Sequence, residues 1–374
     1  MKIALIHDYL AQDGGAEKVL KSFHEIWPEA PIFVLFHDRK KITDFNQAHI
    51  HESWISKMPF VSSHFQWYLP WMPQATEQYN LKNFDVVVSS SSAFAKGIIV
   101  QPGTLHISYC HTPARYLWTN PQEYVEELHY NRLVKSILPK IIHRLRLWDK
   151  ISADRVDFFI ANSKTVEQRI RKYYRRESTV IFPPVDLDSF SVSPTVENYF
   201  VAGGRLVPYK KLDVVIQAFN RLKYPLKIFG TGPELKKLQK MSKKNIEFLG
   251  RITEEEKKQL LQKAQAFIHP QLEDAGVTPL ESLASGRPVI AYSQGGAVET
   301  ITDGITGLFF HKQSWESLLH KILEFKNKKW DSGSIRENVV TYSKDNFKKT
   351  IKEFVEHRYE ENKKNHFQAE LFTK

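Results

Sequence analysis

Residues 268–288 read Ile268-His-Pro-Gln-Leu-Glu-Asp-Ala-Gly-Val-Thr-Pro-Leu-Glu-Ser-Leu-Ala-Ser-Gly-Arg-Pro288. The apolar start of this segment predicts a buried strand that ends near His269, and its second half predicts a helix. A loop that carries Glu273 and Gly276 connects the two. A strand, a loop and a helix in succession form the repeating unit of α/β folds. Because ligands bind at the carboxyl ends of the strands in open α/β sheets, Glu273 is a candidate ligand-binding residue.

The predicted helix has signals at both of its ends. Thr278 is expected at the N-cap, Pro279 at the first helical position and Glu281 three residues after the cap, which together form a capping box. Gly286 is expected to end the helix. Capping alone accounts for Glu281, but it leaves Glu273 unexplained. The exposed N–H groups at the start of the helix favour an anion at this end.

The alternation of strand and helix extends through the chain in both directions. Short apolar runs, typical of parallel strands buried on both faces, recur in two series. The first series covers residues 2–7, 32–36, 84–89, 105–110, 157–161 and 179–182, and the second covers residues 199–202, 226–229, 246–249, 266–269, 288–291 and 307–310. Helical patterns lie at residues 17–26, 212–222, 234–241 and 254–264. The two series predict an α/β protein with two doubly wound parallel-sheet domains.

A segment rich in Pro, Ser and Asp separates the two series. It begins at Pro183-Pro184 and continues to Val196 without helical periodicity, as a linker does. We therefore expect an N-terminal domain over residues 1–190 and a C-terminal domain over residues 191–346. The last residues, about 347–374, have a helical pattern and many charges, and we expect them to cross back onto the first domain.

The composition of the 374 residues excludes several classes of protein. Apolar residues make up 42% and charged residues 25%, which are globular values and exclude disordered and fibrous proteins. The net charge of +11 suits an anionic partner, such as a nucleotide, a nucleic acid or an acidic membrane. The single cysteine, Cys110, excludes an intramolecular disulfide framework and a multi-cysteine metal site. The first apolar run is too short for a signal peptide and no run is long enough to span a bilayer, so we expect a soluble, cytoplasmic protein.

A second segment that suits a ligand reads Phe200-Val-Ala-Gly-Gly-Arg-Leu-Val-Pro-Tyr-Lys-Lys-Leu-Asp213. A predicted strand runs into a glycine turn with Gly204, and Arg205 and Lys211 follow before the next helix. A guanidinium can bind two phosphate oxygens at once and an ammonium acts as a point charge, so this pair suits a pyrophosphate. The alternative is a solvated basic turn.

A third segment follows the first predicted strand and reads Ile6-His-Asp-Tyr-Leu-Ala-Gln-Asp-Gly-Gly-Ala-Glu-Lys-Val19. Gly14 and Gly15 precede a helix there, and glycines allow backbone N–H groups to approach phosphates closely. The segment contains neither G-x-G-x-x-G nor a P-loop pattern. By itself, the glycine pair therefore identifies no nucleotide-binding family.

These segments occur together and in this order in the retaining glycosyltransferases of family 4, which the sequence resembles over nearly its whole length to about residue 355. The resemblance rests on a Glu-x7-Glu motif from Glu273 to Glu281, on Gly-Arg-x5-Lys from Arg205 to Lys211, and on the Gly-Gly loop. It also rests on Ile246-Glu-Phe-Leu-Gly-Arg251 and Asp303-Gly-Ile-Thr-Gly-Leu308.

Further motifs resemble those of bacterial O-antigen mannosyltransferases within this family. They are His7-Asp8-Tyr9, then Asp85-Val-Val-Val-Ser-Ser-Ser-Ser92 with Ala95-Lys96-Gly97, and Cys110-His-Thr-Pro-Ala-Arg-Tyr116. The sequence departs from the family at Ala275, where Phe is more common, so the loop beside the implied sugar site is smaller.

The resemblance implies a GT-B fold, in which two Rossmann-like domains face each other across a cleft and a C-terminal helix returns to the first domain. It implies that Arg205 and Lys211 neutralise the departing diphosphate and that Glu273 contacts the donor sugar. His111 is expected to reach the same sugar from the first domain, and Glu281 is expected to accept hydrogen bonds from the ribose. The other implied donor-binding positions are Gly14, Gly15, Gly204, Arg251, Ile252, Asp274, Ala275, Gly276, Val277 and Thr278.

Some of these positions have other interpretations. His111 also fits a histidine that caps a strand end. A nucleophile pair of Cys110 and His111 is excluded, because adjacent strand residues point to opposite faces of a sheet. Asp186-Leu-Asp188 has the D-x-D form of metal-dependent transferases, but it lies in the linker and is interpreted as a turn. No H-E-x-x-H or similar spacing occurs, so we expect neither a metal nor another cofactor.

The implied reaction moves a hexose with retention to a lipid-linked or polysaccharide acceptor in cell-surface glycan synthesis. GDP-mannose is the favoured donor, and UDP-glucose, UDP-galactose and UDP-N-acetylglucosamine are the alternatives. A non-catalytic carbohydrate-binding scaffold is the alternative from another class of protein. The net charge also suits nucleic acid, but no recognised module is present, so we expect no nucleic-acid partner.

Two segments of the first domain suit an acceptor or a membrane. Residues 54–79 contain many aromatic side chains without helical or strand periodicity, which fits either a packed loop or an acceptor-binding surface. Residues 132–150 carry six Lys and Arg against one acid, with apolar residues at helical spacing, and Pro139 predicts two short amphipathic helices. This segment fits either an anionic membrane or the domain's own sheet. The membrane interpretation predicts peripheral attachment at the inner face of the cytoplasmic membrane.

Overall fold

The computed structural model describes residues 1–12, 14–119, 121 and 132–372, with the backbone alone at 132–134 and 365–372. The chain divides into two compact units. One unit comprises Met1–Pro183 and Phe347–Lys374, and the other comprises Pro184–Asn346. The division falls where the predicted linker begins, at Pro183-Pro184, a few residues before the expected boundary at residue 190.

The first unit is built on a seven-stranded sheet in which every neighbouring pair is parallel. Its strands are Ile3–His7 (β1), Ile32–Val34 (β2), Ile50–Glu52 (β3), Val86–Ser91 (β4), Leu105–Cys110 (β5), Phe158–Ala161 (β6) and Ser178–Val180 (β7). Their order in the sheet is β3-β2-β1-β4-β5-β6-β7. Strands β1, β4 and β5 are buried along their whole length, as expected of central strands covered on both faces, and this burial includes the serines that end β4 and the His106 and Ser108 side chains of β5.

Helices connect and cover these strands. The α-helices of the first unit are Gly15–Ile26, Val61–His64, Met72–Glu77, Arg115–Trp118, Arg132–Asp154 and Lys164–Arg169, with 3-10 helices at Trp54–Lys57, Phe65–Tyr68 and Ala95–Gly97 and a π-helix at Ile170–Tyr174.

The last helix, Lys344–Phe372, belongs to the first unit for most of its length. Phe347, Ile351 and Val355 on this helix are buried in the same core as Phe23 and Tyr109. The rings of Phe23 and Phe347 stack with their centroids 6.0 Å apart. The predicted return of the C-terminal helix to the first domain is therefore confirmed.

The second unit has a six-stranded sheet that is also parallel throughout. Its strands are Phe200–Gly203 (β8), Leu226–Phe229 (β9), Ile246–Gly250 (β10), Phe267–His269 (β11), Val289–Tyr292 (β12) and Gly307–Phe310 (β13). The order is β10-β9-β8-β11-β12-β13. The α-helices are Leu212–Leu222, Leu235–Met241, Glu254–Lys263, Val277–Ala284, Ala297–Thr300, Trp315–Lys326 and Ser332–Glu337, with 3-10 helices at Leu187–Ser189, Pro208–Lys210 and Val340–Tyr342.

Each predicted strand has a counterpart in one of these sheets, so the predicted α/β class with two parallel sheets is confirmed. The strand that the sequence did not predict is β3. Its residues, Ile50-His51-Glu52, include a single apolar side chain, and the strand lies at an edge of its sheet, partly exposed. An edge strand needs no continuous apolar run, so this one gives no periodic signal. Within the described residues, no helix combines the length and apolar character needed to cross a bilayer.

Candidate active site

Lys210 and Glu273 form an ion pair where two neighbouring strands of the second unit end. β8 and β11 lie side by side, β8 leads into the turn with Arg205 and Lys210, and β11 leads into the loop with Glu273. The Lys210 Nζ lies 2.5 Å from the Glu273 Oε1, and Lys210 is only 9% exposed. Parallel strands bring their carboxyl ends to one edge of a sheet, and this edge is where α/β proteins bind ligands.

Lys211, the lysine that the motif spacing predicted, lies elsewhere. It is exposed and forms the N-cap of the helix Leu212–Leu222, with a φ of 50°. This left-handed conformation is costly for a residue with a Cβ, and glycine usually occupies it. The structure therefore brings Lys210, rather than Lys211, to Glu273. The motif spacing did not identify Lys210, because the conformation of the turn decides which of the two adjacent lysines points towards Glu273, and the sequence does not show that conformation.

Arg205 is exposed at the start of the same turn. Its Nη2 donates a hydrogen bond to the Tyr209 hydroxyl at 3.2 Å, which limits the positions that the guanidinium can take. Gly204, directly before it, has a φ of 116°. A Cβ added at Gly230 would lie 1.8 Å from the Gly204 carbonyl oxygen, so the turns after β8 and β9 pack backbone against backbone. The predicted glycine turn, which carries Arg205 and Lys210, is therefore held by close backbone packing against the turn after β9.

Polar groups surround the Glu273 carboxylate. The Gln271 Nε2 donates to its Oε2 at 3.1 Å, and the His269 Nε2 lies 3.6 Å from the same oxygen. Burial by itself raises the pKa of Glu273, but Lys210, His269 and the hydrogen bonds outweigh burial and lower this pKa to about 2. Burial lowers the pKa of His269 to about 4. At neutral pH the site therefore contains an ionised Glu273 carboxylate that has Lys210 on one oxygen and the neutral imidazole of His269 near the other.

The helix after this loop begins earlier than its sequence predicts. It runs from Val277 to Ala284, and its N-cap is Gly276, with a φ of 72°. The prediction that Thr278 is the N-cap and forms a capping box with Glu281 is therefore wrong. The left-handed Gly276 turns the loop directly into the helix, and Thr278 lies inside the first turn. The predicted end of the helix is correct, since Gly286 has a φ of 70° just beyond its last residues.

Glu281 is buried and paired with a lysine from another helix. It is 2% exposed, and the Lys257 Nζ lies 3.0 Å from its Oε2 and 3.1 Å from its Oε1. Lys257 belongs to the helix Glu254–Lys263 and also contacts Glu254 at 2.9 Å. The sequence argument missed Lys257, because a lysine in an ordinary charged helix gives no local signal of a buried contact.

A pair of glycines supports the loop that carries Glu273. The Gly296 N–H donates to the Glu273 carbonyl oxygen at 2.8 Å. A Cβ at Gly295 would lie 2.3 Å from that carbonyl oxygen, and a Cβ at Gly296 would lie 2.3 Å from the carbonyl oxygen of Asp274. Within the loop, Asp274 and Ala275 are buried. These two glycines are a further part of the site that the sequence argument did not select.

The remaining predicted positions of this unit lie beside these turns. Arg251 follows β10 and is exposed, and Ile252 is partly buried in an apolar cluster. The Gly230 N–H donates to the Gly250 carbonyl oxygen at 2.6 Å, which joins the ends of β9 and β10. Val277 forms the first residue of the helix after the Glu273 loop. The structure therefore gathers these positions along the carboxyl edge of one sheet.

In the first unit, His111 lies at the end of a chain of polar side chains. The Ser90 hydroxyl lies 2.8 Å from the His111 Nε2 and 3.1 Å from the His7 Nδ1. The His7 Nε2 lies 3.8 Å from the Glu17 Oε1, and the Glu17 Oε2 accepts a hydrogen bond from the Gly14 N–H at 3.0 Å. His7 and Ser90 are cross-strand partners in β1 and β4, and His111 directly follows β5. The predicted Gly14 and His111 thus belong to one network, whose middle members the sequence argument missed.

The glycine pair precedes a helix, as predicted, and His111 lies at the end of strand β5, as predicted. Gly14 is the N-cap of the helix that begins at Gly15. Burial, followed by the nearby His7, lowers the pKa of His111 to about 3, so its imidazole is neutral at physiological pH. Cys110, the preceding residue, is buried.

Asp8 holds the turn that follows β4. Its Oδ2 accepts hydrogen bonds from the backbone N–H groups of Ser92 and Ala93, and its Oδ1 accepts from those of Phe94 and Ala95, at 2.7–3.0 Å. A buried carboxylate with four such donors fixes the path of the backbone. The His7-Asp8 motif therefore combines a member of the histidine network with a structural anchor.

The basic segment 132–150 lies within one continuous helix, Arg132–Asp154, with Pro139 inside it. The prediction of two short helices is therefore wrong. Asp149 on this helix forms a buried ion pair with Lys96 and accepts a hydrogen bond from the Trp118 Nε1 at 2.6 Å. The Trp148 Nε1 donates to Glu77 at 2.8 Å. These contacts tie the C-terminal half of the helix to the unit despite the proline.

The apolar stripe of this helix packs inward. Ile142 and Leu145 are buried in a cluster that also contains Leu138, Ile141 and Trp148. The opposite side carries Ile137, Leu147 and Ile151, which are 56%, 54% and 58% exposed. Lys140 and Arg144 lie on the same exposed side, at helical spacing between these aliphatic residues. We call this set of five residues the outer face of the helix.

The aromatic segment 54–79 has both packed and exposed side chains. Trp54, Phe65 and Tyr68 pack against the cluster that buries the stripe of the long helix. Phe60, Trp67 and Trp71 are half or more exposed.

The D-x-D residues of the linker, Asp186 and Asp188, lie in and beside the 3-10 turn Leu187–Ser189. Within the part of the chain that the structure describes, no group of three His, Cys, Asp or Glu side chains is placed to hold a metal ion.

Comparison with known proteins gives two adjoining family matches. The family model "Glycosyltransferase Family 4" matches residues 14–189, and the model "Glycosyl transferases group 1" matches residues 186–346. The chain is similar to the O-antigen chain mannosyltransferase RfbU of Salmonella typhimurium, with 28% identity over 58% of this chain and 64% of that protein. It is also similar to the D-rhamnosyltransferase WbpZ of Pseudomonas aeruginosa, with 26% identity over 47% of this chain and 49% of that protein. The chain therefore spans about half to two thirds of these relatives.

Among solved structures, HepE of Anabaena in complex with UDP and glucose matches over 95% of this chain and 99% of its own, with a TM-score of 0.70 and 18% identity. This likeness shows the shared GT-B fold. The matched ranges include Gly14, His111, Lys210, Glu273 and Glu281. The chain belongs to the group 1 glycosyltransferases of family 4.

Proposed function

We propose that the protein is a retaining hexosyltransferase that uses a nucleotide sugar, with GDP-mannose as the favoured donor. The observation that carries this proposal is the ion pair of Lys210 with the Glu273 carboxylate at the adjacent ends of β8 and β11, with Arg205 exposed on the same turn as Lys210. Cleavage of a sugar–phosphate bond leaves negative charge on the diphosphate, and preorganised cations lower that barrier. The similarity to RfbU, an O-antigen chain mannosyltransferase, supports a mannosyl donor.

In this proposal Lys210 takes the role that spacing assigned to Lys211. Lys210 is already buried and directed at the site, whereas Lys211 is exposed on the helix cap. Arg205, held by Tyr209, is the second cation for the diphosphate. Arg and Lys together bind a diphosphate through a fork and a point charge.

The other groups divide between sugar and nucleotide. Glu273 accepts from the sugar hydroxyls, and the backbone N–H groups from Ala275 to Thr278 surround the diphosphate at the start of a helix. Glu281, held by Lys257, accepts from the ribose. Arg251 and Ile252 lie on the base side of the same sheet edge. His111 and the Gly14-Gly15 turn are the contribution of the first unit.

A donor screen that detects nucleoside diphosphate release tests this proposal. Release of GDP from GDP-mannose, well above release of UDP from UDP-glucose, UDP-galactose or UDP-N-acetylglucosamine, is the expected result. The observed UDP complex of the structurally similar HepE makes UDP sugars the natural comparison. Preference for a UDP sugar overturns the donor assignment, and no turnover or binding with any nucleotide sugar favours a non-catalytic scaffold.

We further propose that the acceptor is lipid-linked and that the protein attaches to the inner face of the cytoplasmic membrane through the outer face of the helix Arg132–Asp154. This face combines exposed aliphatic side chains with Lys140 and Arg144. The helix has two acids in its second half: Asp149 is buried against Lys96, and Asp154 pairs with Lys150 at 2.8 Å. Aliphatic side chains among cations suit an anionic bilayer surface. Each cation near such a surface contributes about 1 kcal/mol.

Sedimentation with vesicles tests this attachment. Lys140→Glu with Arg144→Glu is expected to abolish binding to vesicles that contain anionic phospholipid, with nucleotide affinity unchanged. Lys236→Glu with Lys240→Glu is the matched control, because it changes the net charge equally on exposed positions of the second unit. Arg146 is left intact, because its Nε donates a hydrogen bond to the Leu117 carbonyl oxygen at 2.6 Å. Equal loss of binding in both variants contradicts a specific membrane face.

A further inference from the structure

Four side chains of the first unit form a connected line that ends at His111. The distances are 3.8 Å from the Glu17 Oε1 to the His7 Nε2, 3.1 Å from the His7 Nδ1 to the Ser90 Oγ, and 2.8 Å from the Ser90 Oγ to the His111 Nε2. Glu17, His7 and Ser90 are 5%, 3% and 0% exposed. Because bulk water cannot reach the first three members, the protons along the line are set by their neighbours. We call these four residues the histidine line.

The Ser90 hydroxyl couples the two histidine rings. A hydroxyl has one proton, so it donates to one of the two ring nitrogens beside it and accepts from the other. The His7 Nδ1 and the His111 Nε2 must therefore play opposite roles. In a neutral imidazole one nitrogen carries the proton and the other accepts, so the state of one ring determines the state of the other.

Glu17 fixes the first ring. Its Oε2 accepts from the Gly14 N–H at 3.0 Å, which holds the carboxylate in place, and its Oε1 faces the His7 Nε2. The separation of 3.8 Å is longer than a hydrogen bond, so the carboxylate acts through its charge, which favours the proton on the nearer nitrogen. The His7 Nδ1 then accepts from Ser90, and the Ser90 oxygen accepts from the His111 Nε2–H.

We propose that Glu17, His7 and Ser90 are positioning residues that hold His111 in the tautomer protonated on Nε2, so that its Nδ1 accepts a hydrogen bond from a hydroxyl of the donor sugar. The identity of this ligand rests on the proposed function, whereas the tautomer follows from the geometry of the first unit alone. The lowered pKa of His111 keeps the ring neutral, as this role requires.

Glu17→Gln gives an unusually specific prediction, because the same geometry then selects the opposite tautomer. The Gly14 N–H still needs an acceptor, so the carbonyl oxygen of the new side-chain amide faces Gly14 and its NH₂ group faces the His7 Nε2. His7 then carries its proton on Nδ1 and donates to Ser90. Ser90 donates to the His111 Nε2, and the proton of His111 moves to Nδ1.

Nuclear magnetic resonance of the full chain labelled with ¹⁵N-histidine reports the tautomer of each ring without any substrate. The His111 signals are identified by their loss in His111→Gln. The expected results are an Nε2–H pattern in the wild type and an Nδ1–H pattern in Glu17→Gln. Ser90→Ala is expected to disconnect the two rings, so that adding Glu17→Gln to it changes His111 no further. Ser108→Ala is the control, since Ser108 is equally buried and its hydroxyl has no partner among the described residues.

Turnover and binding complete the test. With the donor that the screen identifies, Glu17→Gln and Ser90→Ala are expected to lower kcat by about tenfold while the affinity for GDP or UDP changes little. An Nδ1–H pattern in the wild type, or an unchanged His111 pattern in both variants, overturns the proposal. If the tautomers behave as expected but no nucleotide sugar is turned over, the histidine line stands and the proposed function fails.

Discussion

At the scale of single residues, the site in the second unit depends on which of two adjacent lysines points inward. Lys210 is buried against Glu273, and Lys211 occupies a left-handed backbone conformation on the surface. The pairing keeps the ammonium beside the place where a diphosphate leaving group is expected. Burial raises the pKa of Glu273, but Lys210, His269 and the hydrogen bonds from Lys210 and Gln271 together lower this pKa to about 2, so the carboxylate stays ionised at any physiological pH.

The first prediction compares these two lysines. Lys210→Ala is expected to reduce turnover by roughly 10² to 10³, the range for loss of one preorganised electrostatic group. Lys211→Ala should change turnover only a few-fold. Lys211→Gly should raise the free energy of unfolding by about 1 kcal/mol, because glycine adopts a φ of 50° without a steric cost. Steady-state kinetics and urea unfolding measure these effects, and a larger kinetic loss for Lys211→Ala would restore the original spacing assignment.

The second prediction concerns Glu281. Glu281→Ala leaves Lys257 buried without its main partner and should reduce the free energy of unfolding by about 2–3 kcal/mol, less than for a fully isolated charge because Glu254 remains. It should also weaken nucleotide binding. Thr278→Ala distinguishes loss of the ion pair from loss of a helix cap. Loss of an N-cap side chain costs about 1 kcal/mol, but Thr278 is not the N-cap, so Thr278→Ala should change the free energy of unfolding by less than this. Chemical denaturation decides between them, and a stability loss in Thr278→Ala comparable to that in Glu281→Ala would point back to capping.

At the scale of elements, the shape of the Glu273 loop depends on its contact with the turn after β12. Gly295 and Gly296 let the two backbones approach within a distance that no side chain permits. Gly276 then turns the loop into its helix. The Lys210 turn is supported in the same way by Gly230, behind Gly204. The functional side chains are thus carried by loops whose backbones are closely packed against neighbouring turns.

The third prediction tests this support. Gly296→Ala is expected to destabilise the protein by about 1–3 kcal/mol and to weaken nucleotide binding, because the new Cβ would lie 2.3 Å from the Asp274 carbonyl oxygen and the loop must shift. Gly296 has a φ of −63°, which alanine adopts without strain. Any loss of stability in Gly296→Ala therefore comes from the close contact of the new Cβ with the loop. Gly103→Ala, with open space around its Cβ, is the matched control and should be nearly neutral. Calorimetry with GDP and UDP measures the binding, and unchanged binding in Gly296→Ala contradicts the role of this contact.

At the scale of the whole molecule, each unit supplies a different kind of chemistry. The first unit carries a neutral histidine whose protons are fixed by buried neighbours, and the second carries cations and carboxylates at one sheet edge. The return of the C-terminal helix into the core of the first unit ties the end of the chain to its beginning. In the proposed reaction, the positive charge on the leaving-group side comes from Arg205 and Lys210.

The fourth prediction follows from this source of charge. Turnover is expected to change by no more than a few-fold when a chelator is added, because Arg205 and Lys210 neutralise the diphosphate without a metal ion. The measurement compares donor cleavage in buffer with EDTA and in buffer with added Mg²⁺ or Mn²⁺. Loss of activity with EDTA that Mn²⁺ restores would show that a metal takes part.

The sequence by itself determined every strand except β3, the two parallel sheets, the family and most of the candidate residues at the sheet edges. These features depend on local signals, such as unbroken apolar runs, glycine turns and motif spacing, that are present in a few neighbouring residues. The tertiary structure alone decided that Lys210 pairs with Glu273, that Lys257 pairs with Glu281, and that Ser90 joins His7 to His111. It also decided that the apolar stripe of the helix Arg132–Asp154 packs inward. Each of these contacts joins residues far apart in the chain, and strand order and side-chain direction bring them together, which no local pattern encodes.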